Sequence, residues 1–120
     1  MKTIKLRPVD CCTTAVATDP LSDKERTGLV SVFHALSDPT RLEIFRLVAA
    51  QQEAICVCDI TGRFDVTQPT ISHHLRVLRE AGLVSVSRRG IWAYYAVKDD
   101  GLDLLGNVLG TLQLKKGVLV

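Results

Sequence analysis

"DVTQPTISHHLRVLREAGL", residues 65–83, is the clearest helix in the chain. Thr67 suits its cap, Pro69 its first turn and Gly82 its stop. Ile71, Leu75 and Leu78 recur at i, i+4 and i+7, a narrow inward seam. Turning about 100° per residue puts His73 and Arg76 on the opposite face. Ser72 and Arg79 lie on one flank and Thr70 on the other. This outward face holds no acid before Glu80. A merely solvated face ordinarily mixes acids and bases, so a nucleic-acid contact is the better expectation. His74 flanks the seam and is expected to be partly buried and hydrogen-bonded rather than a DNA contact.

The neighbouring segments fit around that helix. A short helix is expected just before it, roughly over Val57–Phe64. After it, "LVSVS" alternates apolar and polar residues, "RRG" turns, and "IWAYYAV" returns, which predicts a β-hairpin. Its tip would carry Arg88 and Arg89. Upstream, "SDKERTGLVSVFHAL" opens on the cap-type Ser22 and early acids. Leu29, Val32, Phe33 and Leu36 would form its buried face. "SDPTRLEIFRLVAA" predicts a second helix, with Asp38 at the N-cap and Pro39 at its first position. Leu42, Phe45 and Val48, with Ala49, would be its buried face. "DDGLDLLGNVLGTLQL" reads as a last amphipathic helix with three glycines, each weakening it relative to alanine. Its stripe of Leu102, Leu105, Val108, Leu109 and Leu112 is long for so short a chain. The stripe is therefore expected to face the first helix and a second subunit.

Helices, two closely spaced helices, a hairpin and a helix are the order of a winged helix-turn-helix. The expected fold is mainly α with a β-hairpin wing, as a homodimer. The second helix of the pair would enter the DNA major groove. Gln68, Thr70, Ser72 and His73 are polar groups near its N-terminal half, suited to base edges, and glutamine can pair bidentately with adenine. Arg76 and Arg79 suit phosphates. Arg88 and Arg89 at the hairpin tip would reach the backbone or minor groove.

Composition sets outer bounds. The 120 residues are 47% hydrophobic and 23% charged, an ordinary globular composition for one domain. The net charge of +2 says little about partners, so local patches must carry the DNA argument. No apolar run approaches the ~18 residues of a membrane helix. "MKTIKLRPVDCC" has no apolar core of a secretory signal, so a cytoplasmic protein with reduced thiols is expected. Residues 1–21 read as a mobile arm carrying Cys11 and Cys12. Residues 22–113 read as the DNA-binding and dimerisation domain, and residues 114–120 as a tail.

All four cysteines lie in "DCC" at 10–12 and "CVCDI" at 56–60. Thiolates are soft ligands and select thiophilic ions. Cys56 and Cys58 stand at a helix start, where the dipole favours the charge a ligand must carry. A single buried cysteine is commonly a small core hydrophobe, and Cys58 can be read so. Two such clusters in one chain are harder to explain by packing. An enzyme is not expected, because the spacing is C-x-C rather than C-x-x-C and no histidine is free to serve as a base.

"LSDPTRLEIFRLV", "CVCDI", "TQPTISHHLRVLREAGLV" and "RRGIWAYYAV" resemble the ArsR/SmtB family of metal-responsive repressors, from about Val32 to Val97. Of its branches, the chain is most like the arsenic-responsive one. The resemblance implies a homodimer that sits on double-stranded operator DNA and leaves it when a metal or metalloid binds. As(III) or Sb(III) is the inducer this implies first; Cd(II) or Pb(II) at a four-sulfur site, or a thiol redox switch, is the alternative. Cys11 and Cys12 with Cys56, with or without Cys58, would make the site. In relatives with N-terminal cysteines the arm reaches the other subunit. Some arsenic-responsive relatives carry a third cysteine where this chain has Thr61, so here the arm must contribute. Another branch binds zinc through Asp and His on the last helix. This chain has no histidine after His74, and no zinc or nickel site is expected there.

Overall fold

The structure is a computed structural model that describes Ile4 and residues 20–119, with side chains as far as residue 112. Cys11 and Cys12 lie outside the described residues, and with them most of the expected arm. The order is α1 (Asp23–Leu36), α2 (Pro39–Ala49), β1 (Ile55–Cys56), α3 (Val57–Thr61), α4 (Gln68–Glu80), β2 (Val84–Arg89), β3 (Trp92–Val97) and α5 (Asp99–Leu119). The strands form one antiparallel sheet in the order β1-β3-β2. The fold is the expected winged helix-turn-helix.

Local chemistry sets the helix starts. Ser22 and Glu25 form a reciprocal capping box on α1. The Asp38 side chain accepts from the Arg41 N–H at 2.9 Å, with Pro39 at the first turn of α2. That backbone hydrogen bond, ahead of the nearby Arg41 charge, holds the Asp38 carboxyl below its ordinary value. Thr67 takes the N-cap position of α4, but its side chain makes no capping bond. Its hydroxyl instead meets that of Thr70 at 3.0 Å.

The end of α4 determines how the wing leaves it. Gly82 has φ +79°, Gly82 N–H donates to the Arg79 carbonyl, and Leu83 N–H donates to the Leu78 carbonyl. This is the Schellman arrangement, and the left-handed residue it needs is cheapest as glycine. The turn drops Leu83 into the core and starts β2. The start of α5 is pinned to the same corner, with Gly101 N–H donating to the Gly82 carbonyl at 3.0 Å.

The core is built on the α4 seam. Ile71, Leu75 and Leu78 are fully buried, with Val32, Ile44, Ile60, Leu83 and Val84 around them. Burying each such side chain contributes roughly 1.5–3 kcal/mol. Other faces differ from the sequence expectation. Phe33 is half exposed, Leu36 only partly buried, and Ala35 takes a core place. Leu42 and Ala49 point outward, and Ile44 packs with Phe45 and Val48. Both buried faces turn to meet α4, a partner that periodicity within one segment does not encode. The short helix ends at Thr61 rather than Phe64. The last helix divides its stripe. Leu102 and Leu105 pack on the core, Val108 is half-buried, and Leu109 and Leu112 are 45% and 62% exposed. Its backbone stays helical to Leu119, through most of the segment set apart as a tail.

Candidate nucleic-acid interface and thiol site

On α4 the seam buries one side and leaves the other open. Gln68, Thr70, His73, Arg76 and Arg79 are exposed, and Ser72 is half-buried at the flank. Arg76 Nη2 lies 3.3 Å from His73 Nδ1, so the two share one patch one turn apart. The polar face is therefore continuous from the first turn of α4 to its last. Its N-terminal half carries the short and planar polar groups, and its C-terminal half the cations.

His74 sits as the sequence suggested, partly buried between α4 and α2. Burial first, with the Arg41 and His73 charges beside it, pulls its imidazole below the ordinary value despite the opposing Asp38. Arg41 Nη1 stands 3.4 Å from His74 Nδ1, which must accept because a guanidinium has only donors. The same guanidinium donates to the carbonyls of Ala35 (2.8 Å) and His34 (3.3 Å) at the end of α1. Arg41 thus braces α1 against α4. Nothing in "DPTRL" marks that role in the sequence; it exists only when three helices meet.

The wing differs in detail from the expected tip. Arg88 and Arg89 end β2, paired with Ala93 and Trp92, and the turn itself is Gly90–Ile91. Gly90 has φ +65°, the conformation that a two-residue hairpin turn requires. Both arginines are exposed beside that turn. The Arg89 guanidinium lies over the Tyr94 ring, 4.3 Å from its centroid.

The thiol pair is held by α3 and a strand the sequence reading did not contain. Cys56 ends β1 and is the N-cap of α3, its sulfur accepting from the Cys58 N–H at 3.4 Å. The two Sγ atoms meet at 2.6 Å, both free thiols, with Cys56 buried and Cys58 exposed. The hydrogen bond with the Cys56 thiol, then desolvation and the Cys56 and Asp59 charges, push the Cys58 thiol up. The helix start therefore does not make Cys58 a ready thiolate, because the bond to the neighbouring sulfur favours the protonated form. Two adjacent thiols fit a thiophilic ion as two donors of a three- or four-sulfur site. Among the described residues, no group of three or more His, Cys, Asp or Glu stands together to complete one.

The sequence pattern of "Bacterial regulatory protein, arsR family" matches residues 38–86, from the N-cap of α2 into β2. An arsenical resistance operon repressor of Bacillus subtilis is 41% identical over 86 residues, covering 71% of this chain and 81% of that protein. The chain belongs to the arsR family. A cadmium resistance transcriptional regulatory protein CadC homolog of Staphylococcus aureus is 33% identical over 85 residues, 71% of this chain and 69% of its own. Among solved structures, the homodimeric winged helix-turn-helix DNA-binding domain of a Mycobacterium bovis protein aligns with TM-score 0.58 and 27% identity, over 80% of this chain and 91% of that one. This chain is accordingly an arsR-family transcriptional regulator of winged helix-turn-helix fold and not an enzyme. Among the described residues no helix is long and apolar enough to cross a membrane.

Proposed function

We propose that this regulator is a homodimeric repressor that leaves its operator when As(III) or Sb(III) binds its cysteines. The observation carrying this reading is the contact between Cys56 and Cys58, one of them open to solvent, on the short helix next to α4. Cys11 and Cys12 are proposed to supply the remaining sulfurs. The exposed apolar residues Val30 and Phe33 on α1 and Leu109 and Leu112 on α5 are proposed to meet a second copy. Gln68, Thr70, Ser72 and His73 would face base edges. Arg76, Arg79, Arg88 and Arg89 would face phosphates. The two α4 helices of a dimer must match grooves about 34 Å apart, so a small change in their spacing lowers affinity. Drawing Cys56 toward the arm would move α3, and α4 packed on it. A coupling of about 1–3 kcal/mol is typical of linked sites and is enough for release.

The test is an anisotropy titration of the reduced protein on its operator DNA with As(III), Sb(III), Cd(II), Pb(II) and Zn(II). Release by As(III) and Sb(III), lost in Cys11→Ser, Cys12→Ser and Cys56→Ser while metal-free DNA affinity stays near wild type, supports the reading. Release by As(III) that survives loss of both Cys11 and Cys12 refutes the shared site. A second reading keeps the fold and senses Cd(II) or Pb(II) through four sulfurs. The similarity to the cadmium-resistance regulator supports it. Cys58→Ser separates the two: a retained arsenite response fits three sulfurs without Cys58, and a lost Cd(II) response fits four.

A further inference from the structure

We propose that Tyr94 is a positioning residue through which the thiol pair acts on the wing arginine Arg89. The proposal rests on the inducer reading above and adds a second route beside the movement of α3 against α4. Its basis is a run of contacts on one face of the sheet. Cys56 and Tyr94 are directly paired residues of β1 and β3. Ser87 pairs with Tyr94, and Arg89 is two residues further along β2, so Cys56, Tyr94 and Arg89 all project from the same face. The Arg89 guanidinium rests on the Tyr94 ring at 4.3 Å. Cys56 and Tyr94 also line one cleft of about 440 Å³, open beside Asp59 and Arg63.

The thiols differ in depth, and that difference makes the route work. Cys56 is 5% exposed, while Cys58 faces solvent. An ion reached from outside by Cys58 and by a further thiol must draw the Cys56 sulfur outward. Cys56 is at once the last residue of β1 and the cap of α3, so its backbone cannot follow without disturbing the pairing with Tyr94. The ring then shifts under the guanidinium. Without that seat, Arg89 is a freely rotating side chain and must be ordered anew on the DNA backbone. Arg88 makes a built-in control: it pairs with Ala93 on the other face and does not share the ring.

The measured quantity is the release ratio, operator affinity without As(III) divided by affinity with it. It is read for the reduced full chain and for Tyr94→Phe, Tyr94→Leu, Arg89→Met and Arg88→Met. A cation–π seat of ordinary strength corresponds to about a two- to fivefold change in affinity. Tyr94→Leu should lose that factor in metal-free DNA binding and lower the release ratio by the same factor. Tyr94→Phe keeps the ring and should behave as wild type. As(III) binding without DNA, followed by thiolate–arsenic absorbance, should be retained in all four, unchanged in Tyr94→Phe and Arg88→Met and tighter by no more than that factor in Tyr94→Leu and Arg89→Met, which have no seat for the ion to break. Arg89→Met lies on the surface and tests the route even where Tyr94→Leu fails to fold. It should lower the ratio, whereas Arg88→Met should weaken DNA binding equally with and without As(III). Equal ratios in wild type and Arg89→Met overturn the proposal and leave the inducer reading standing. A wild-type protein that no thiophilic ion releases overturns both.

Discussion

Cys58→Ser combined with a pH series tests the chemistry of the thiol pair. Cys58 is pushed above its ordinary thiol value, chiefly by its hydrogen bond with Cys56, so at pH 7 it carries its proton. Metal binding needs the thiolate, so the proton must leave. For a divalent ion such as Cd(II), each protonated thiol that becomes a ligand releases one proton. Affinity then rises about tenfold per pH unit for Cys58 alone, with more from every other protonated ligand. The sign is reversed from what a preformed thiolate would give with arsenite. Arsenious acid is neutral and condenses with protonated thiols, losing water and releasing no net proton. The bond from Cys58 to arsenic should therefore add no pH dependence to arsenite affinity, whereas a Cys58 thiolate would make that affinity fall as pH rises. The assay is isothermal titration of the reduced, DNA-free protein in buffers of differing ionisation enthalpy, which counts protons directly. If Cys58 is a ligand, Cys58→Ser should reduce the Cd(II) proton count by one and leave the arsenite count unchanged. A Cd(II) proton count unchanged in Cys58→Ser, or an arsenite proton count that shifts by one in Cys58→Ser, would refute the picture of Cys58 as a protonated ligand.

Three further outcomes follow from named positions. Arg88→Ala should weaken operator and non-operator DNA by a similar factor, and the slope of log affinity against log salt should shrink by about 0.9, one phosphate contact; a loss confined to one base position would mean base reading instead. Gln68→Ala and His73→Ala should reduce the operator to non-operator ratio, with each specific base contact worth about 1–3 kcal/mol; competition binding with an unchanged ratio in both would relocate the recognition face. Gly101→Ala should destabilise the fold by about 1–3 kcal/mol in urea denaturation, because a Cβ there would stand 3.1 and 3.2 Å from the carbonyls of Ala81 and Gly82 and 3.0 Å from Leu83 Cδ2. That backbone crowding exceeds the roughly 1 kcal/mol an alanine gains in a helix, and a neutral or stabilised variant would show that the corner can open.

The sequence by itself determined the elements whose signals are local. The Ser22 capping box, Asp38–Pro39 and the left-handed Gly82 act over a few residues, so the starts of α1 and α2 and the end of α4 were legible. The Ile71/Leu75/Leu78 seam was legible too, because its apolar stripe is narrow and its opposite face entirely polar. The polar face of α4 and the C-x-C box followed, since their residues are neighbours along the chain. Tertiary structure decided what depends on segments far apart. Strand β1 is two residues long, too short for any alternation to show, and exists because β3 offers it an edge. That edge sets Cys56 beside Tyr94, and the hairpin turn places Arg89 on the same ring. The phase of α2, with Ile44 inward and Leu42 outward, was set by where α4 lies. Arg41 reads as one more surface cation until α1 and α4 close around it. Capping and periodicity are energies between residues a turn apart; burial and pairing are energies between residues that only the folded chain brings together.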